Sequence, residues 1–142
     1  MLSKYIVMGL IGIVGVIFTG CAHAERAADD PKKGYIRITP VQANQLLHDR
    51  PQVVLVDVRT PQEYAQYHIP NARLVPNETI GDDAIDGLDK ESVILVYCRT
   101  GHRSRQAAQK LLDIGYKHIY DMEGGITQWP YETVSGQDPA GD

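Results

Sequence analysis

Cysteine is scarce: the chain has two, Cys21 and Cys98. Cys21 falls in an N-terminal segment that reads as an export signal, so Cys98 has no disulfide partner in the mature protein. A chain of 142 residues does not need one, because a domain of that size buries well over half of its unfolded surface. An apolar run long enough to cross a bilayer is also missing. The longest uncharged, mostly apolar stretch is residues 6–18, against about 20 residues for a spanning helix. Clustered cations are lacking as well. The formal charge is −4, and loss of residues 1–20 would remove Lys4 and no acid, leaving −5. That balance excludes nucleic acid as a partner. No internal repeat is visible.

The N-terminus carries one cation, Lys4, and then the apolar run with its three glycines. This is the h-region of a secretory signal rather than a core helix, since the glycines weaken a helix and no polar face exists. Two processing routes fit. Phe18-Thr19-Gly20-Cys21 resembles a lipobox, in which Cys21 would be acylated and anchor the protein to a membrane. Ala22-His23-Ala24 fits cleavage after a small-x-small site. The expected organisation is a signal over 1–20 or 1–24, a polar tether over 21–34, one domain over 35–131 and a frayed tail over 132–142. The protein is expected to be exported to the periplasm, soluble or lipid-anchored.

Within the domain, short β-branched runs alternate with helical patterns. Strands are expected at 35–38, 53–58, 73–75, 92–97 and 118–120. Thr39-Pro40 with Gln42, and Thr60-Pro61 with Glu63, are capping boxes that start helices. A third helix is expected over 104–114, with Ala107, Ala108, Leu111 and Leu112 on one stripe and Gly115 as its stop. Residues 77–88 read as a loop with a helical turn, and 126–131 as a terminal turn. The alternation implies an α/β fold: a mostly parallel sheet with helices on both faces. Ligands bind such sheets beyond the carboxyl ends of strands. Two strands end there in polar constellations, Asp57-Val58-Arg59 and Cys98-Arg99-Thr100-Gly101-His102-Arg103.

Cys98 follows a buried strand and precedes a helix. A loop there can turn successive N–H groups inward as an anion nest, with Gly101 supplying a positive φ. Arg99, Arg103, His102 and the helix dipole add positive potential, which favours thiolate over thiol. Such a nucleophile suits attack on an anionic sulfur donor. A buried structural cysteine is the bland alternative, but two arginines, a histidine and a glycine do not gather around an inert thiol. Asp57 and Arg59 are expected as the wall beside the loop, with Asp57 pairing with Arg103 or capping loop amides. A surface Arg59–Glu63 pair is the alternative.

The loop Cys98-Arg99-Thr100-Gly101-His102-Arg103-Ser104 resembles the Cys-x-x-Gly-x-Arg-Ser loop of single-domain rhodaneses. Asp57-Val58-Arg59, Glu63-Tyr64 and His68-Ile69-Pro70-Asn71-Ala72 resemble that family's upstream signature. Gly115-Tyr116, Ile119, Met122, Gly124-Gly125-Ile126 and Trp129 resemble its C-terminal segment. Tyr67 and Asn71 depart from it, standing where the family often has glycine. The resemblance implies a five-stranded parallel sheet, Cys98 as the nucleophile that becomes a persulfide, and the amides of 99–103 as the cradle of the outer sulfur. It implies no metal and no organic cofactor. The partners would be a small anionic sulfur donor, such as thiosulfate or a polysulfide, and a thiol or cyanide acceptor.

Two other functions compete. Phosphatases and arsenate reductases carry Cys-x5-Arg, whereas here Ser104 occupies the sixth position and Arg103 comes one residue early. A non-catalytic sulfur-binding or sensor module would keep the fold without activity.

Overall fold

The computed structural model describes residues 34–81, 85 and 87–136. The signal, Cys21 and all of the tether except Gly34 lie outside the described residues, as do residues 82–84, 86 and 137–142. Among the described residues no helix is long and apolar enough to cross a membrane.

Five strands form one sheet: β1 (Ile36–Ile38), β2 (Val54–Asp57), β3 (Arg73–Leu74), β4 (Val93–Tyr97) and β5 (His118–Met122). Their order is β1-β5-β4-β2-β3, and every pairing is parallel. β4 is central, and its near-continuous apolar sequence follows from being covered on both faces. Ile94, Val96 and Cys98 point into one layer with Ala107, Ala108 and Leu111 of helix α3 (His102–Asp113). Leu95 and Tyr97 point into the other, with Ala43 of α1 (Pro40–Asp49) and Tyr64 of α2 (Pro61–Gln66). Both capping boxes form: Thr39 with Gln42 and Thr60 with Glu63, each behind a proline in the first turn.

The differences from the sequence pattern have local causes. Helix α3 begins at His102 instead of residue 104, because Gly101 is its N-cap at φ 89° and its first two residues carry no apolar signal. Strand β5 runs on through Asp121, an acid in a strand, where Arg37 of the neighbouring β1 donates to the carboxylate at 3.3 Å. The terminal turn is a 3₁₀ turn over Gly125–Gln128, and another covers Asn77–Thr79. Val134, read as part of a frayed tail, pairs with His68, exchanging N–H···O bonds of 2.8 and 2.9 Å. Asn71 takes φ 64°, which asparagine tolerates. Tyr67 is extended, at φ −167°, so no glycine is required there.

Candidate active site

The carboxyl end of β4 delivers Cys98 into the loop before α3, with 1% of its surface exposed. Gly101 turns the chain back, and its N–H donates to Cys98 Sγ at 3.1 Å. The loop carbonyls are held on the other side. Ile126 N–H donates to the Cys98 carbonyl at 2.9 Å, and Thr127 N–H to the Arg99 carbonyl at 3.2 Å. The 3₁₀ turn after β5 therefore clasps the loop from outside. Gly125 makes the contact feasible: a Cβ there would sit 2.4 Å from the Cys98 carbonyl oxygen and 2.5 Å from the Arg99 carbonyl. In the sequence Gly124-Gly125 stand out only within the C-terminal part of the family resemblance. Their service to the loop was hidden because the two segments lie more than twenty residues apart.

Arg99, Thr100 and His102 are exposed on the rim of the loop. Arg103, in the first turn of α3, reaches across to α2, where its two Nη atoms each meet one oxygen of Glu63 at 2.7 Å. Glu63 Oε2 also accepts from the Thr60 backbone N–H and hydroxyl, both at 3.1 Å. The Arg103 hydrogen bonds, with those of Thr60, hold the Glu63 carboxyl down at about 2 despite partial burial. Arg103 is raised chiefly by its hydrogen bonds to Glu63. Glu63 was legible in the sequence as a helix cap; its contact with the loop was not.

Asp57 and Arg59 require correction. Asp57 does not pair with Arg103, and Arg59 does not pair with Glu63. They pair with each other. Arg59 Nη2 donates to Asp57 Oδ2 at 2.7 Å, Arg59 Nε to Oδ1 at 3.0 Å, and the Arg59 backbone N–H to Oδ1 at 2.9 Å. Strand alternation is the reason. Val58 lies in the Cys98 layer, so Asp57 faces the opposite one, beside its register partner Tyr97. Arg59 is buried, donates to the Tyr67 carbonyl at 2.7 Å, and lies 5.3 Å from the Tyr67 ring centroid. Burial, and then the charge of Asp57, push the Tyr97 phenol far upward; its oxygen accepts from Ile69 N–H at 3.1 Å. This buried network fastens the end of β2 to the turn after α2.

A loop with an inward amide on a buried thiol, braced from outside and rimmed by cations, can hold a nucleophilic sulfur and an anion beside it. Comparisons with known proteins agree. A family model described as Rhodanese-like domain matches residues 39–132. The thiosulfate sulfurtransferase GlpE of Pseudomonas aeruginosa (strain LESB58) is 35% identical over 105 residues, covering 71% of this chain and 93% of that protein. A sulfurtransferase of Allochromatium vinosum is 40% identical over 86 residues, covering 61% of this chain and 79% of that one. Among solved structures, a rhodanese-like domain protein of Staphylococcus aureus superposes with a TM-score of 0.63 at 31% identity, covering 71% of this chain and 98% of that one. A rhodanese with anions from E. coli gives 0.53 at 31% identity, covering 59% and 99%.

Proposed function

The chain belongs to the rhodanese-like domain family, and from that premise we propose that it is a sulfurtransferase working through a Cys98 persulfide. The observation that carries this reading is the Gly101 N–H on Cys98 Sγ, in a loop whose carbonyls are tied back by Ile126 and Thr127. A fixed N–H dipole aimed at sulfur stabilises negative charge there without reorganising during reaction; removing one comparable donor in other enzymes costs about 2.7–4 kcal/mol.

The thiolate of Cys98 attacks the outer sulfur of a donor such as thiosulfate. The new S–S bond forms as the donor's S–S bond breaks, and sulfite leaves with the bonding pair. The outer sulfur of the persulfide then rests among the amides of 99–103. Cyanide or a thiolate attacks it, forming thiocyanate or a new persulfide, and the electron pair returns to Sγ. Kinetics of the two half-reactions are ping-pong. Arg99 and His102, exposed on the rim, draw the anionic donor in. A one-residue-shorter arginine spacing than Cys-x5-Arg, with Arg103 turned onto Glu63, speaks against a phosphate-encircling loop.

The test is thiocyanate formation by the purified domain. Cys98→Ser, close to isosteric, should abolish transfer and keep the fold. Undiminished turnover in Cys98→Ser would refute the mechanism.

A further inference from the structure

The loop has two arginines, and they are not equivalent. Arg99 is exposed and has no carboxylate partner among the described residues. Arg103 is matched nitrogen for oxygen by Glu63 at 2.7 Å. Glu63 is in turn fixed from behind by the Thr60 N–H and hydroxyl, so it cannot swing away without giving up the cap of α2. The pair is about one-quarter exposed on each side, and Arg103 stands in the first turn of the helix that the Cys98 loop leads into, two residues after the Gly101 cap.

An anion approaching Cys98 therefore meets a cation that already has its counterion, and a fixed carboxylate behind it. Resting on the sulfurtransferase reading above, we propose that Glu63 sets the charge preference of the donor site, favouring singly charged sulfane-sulfur donors over doubly charged ones such as thiosulfate. Glu63 does this through Arg103 and is a positioning residue; it touches no reacting atom. The effect is a difference: the second negative charge of thiosulfate is opposed by Glu63 and gains little from Arg103, while a monoanionic thiosulfonate or organic persulfide is opposed half as much.

Glu63→Gln isolates the charge, because glutamine serves equally as the third residue of a capping box: Gln42 does so in α1. The experiment compares thiosulfate with methanethiosulfonate as donors and cyanide as acceptor. Both leave the same persulfide, releasing sulfite or methanesulfinate. In Glu63→Gln, the ratio of kcat/KM for thiosulfate to that for methanethiosulfonate should rise about threefold or more at low salt, mainly through KM, and the rise should shrink in high salt. Arg103→Gln, which bares Glu63, should move the ratio the other way, and the double variant should return close to the wild-type ratio. If Glu63→Gln fails to fold, the shift in Arg103→Gln alone decides. A ratio unmoved in either variant, or one that falls in Glu63→Gln because Arg103 has lost its anchor, overturns the proposal while leaving sulfur transfer intact. A wild-type protein that uses neither donor refutes the sulfurtransferase reading itself, and this inference with it.

Discussion

A buried thiol with a backbone N–H on its sulfur depends on backbone atoms that have no side chain to mutate, so the loop is best probed through the residue that supports it. Gly125 stands at φ 61° against the carbonyls of Cys98 and Arg99. Gly125→Ala adds a methyl group where none fits and a left-handed backbone that alanine resists. It should cost about 1–3 kcal/mol of stability, read by urea denaturation. In the protein that remains folded, displacement of the loop should lower kcat about a hundredfold. Wild-type kcat in Gly125→Ala would mean that the clasp does not set the loop's geometry. The loop that gathers Cys98, Gly101 and the cations beside them was legible from the sequence. Asp57 was misassigned because its chain neighbours were visible and its strand face was not. Alternation decides which layer a side chain enters, and the register of β2 against β4 is a tertiary fact.

At the scale of elements, the capping boxes were readable because they are written in four consecutive residues. Thr60 to Glu63 shows the limit of that reading. The cap is local, yet the carboxylate that completes it also ties α2 to the start of α3 through Arg103, a contact between residues forty apart. This link makes a prediction in acid. The Glu63 carboxyl is lowered from 4.5 to about 2, first by the Arg103 hydrogen bonds. A depressed carboxylate contributes stability that is complete above its unfolded value and is lost as pH falls through the folded one. Wild-type stability should therefore decline between about pH 5 and pH 2 by more than that of Glu63→Gln, the two curves converging at low pH. Since the pair is partly solvated, the gap should be small and should narrow with salt. Parallel curves for the two proteins across that range would show that the ion pair contributes nothing.

For the whole molecule, a mostly parallel sheet with helices on both faces follows from alternation and its five strands from the family resemblance, and the order β1-β5-β4-β2-β3 places the strand leading to Cys98 at the centre, where both faces are packed. The segment after the last turn reads in the sequence as a frayed tail, yet part of it returns to the domain. Its pairing through Val134 with His68 uses backbone groups and carries no side-chain signature. The N-terminal signal adds a proposal about place: the domain acts outside the cytoplasm, tethered through lipid on Cys21 or released after Ala24. Fractionation separates the two, because a diacylated protein stays with membranes and Cys21→Ser would release it. Full-length protein in the cytosol would contradict export. The central claim is that Cys98 carries the sulfur. Its most direct test is the intact mass of the protein after brief exposure to thiosulfate or methanethiosulfonate without an acceptor. The account predicts one added sulfur atom, mapped to the peptide holding Cys98 and removed by cyanide with one equivalent of thiocyanate. A protein that turns over donor and acceptor but never gains that mass would contradict it.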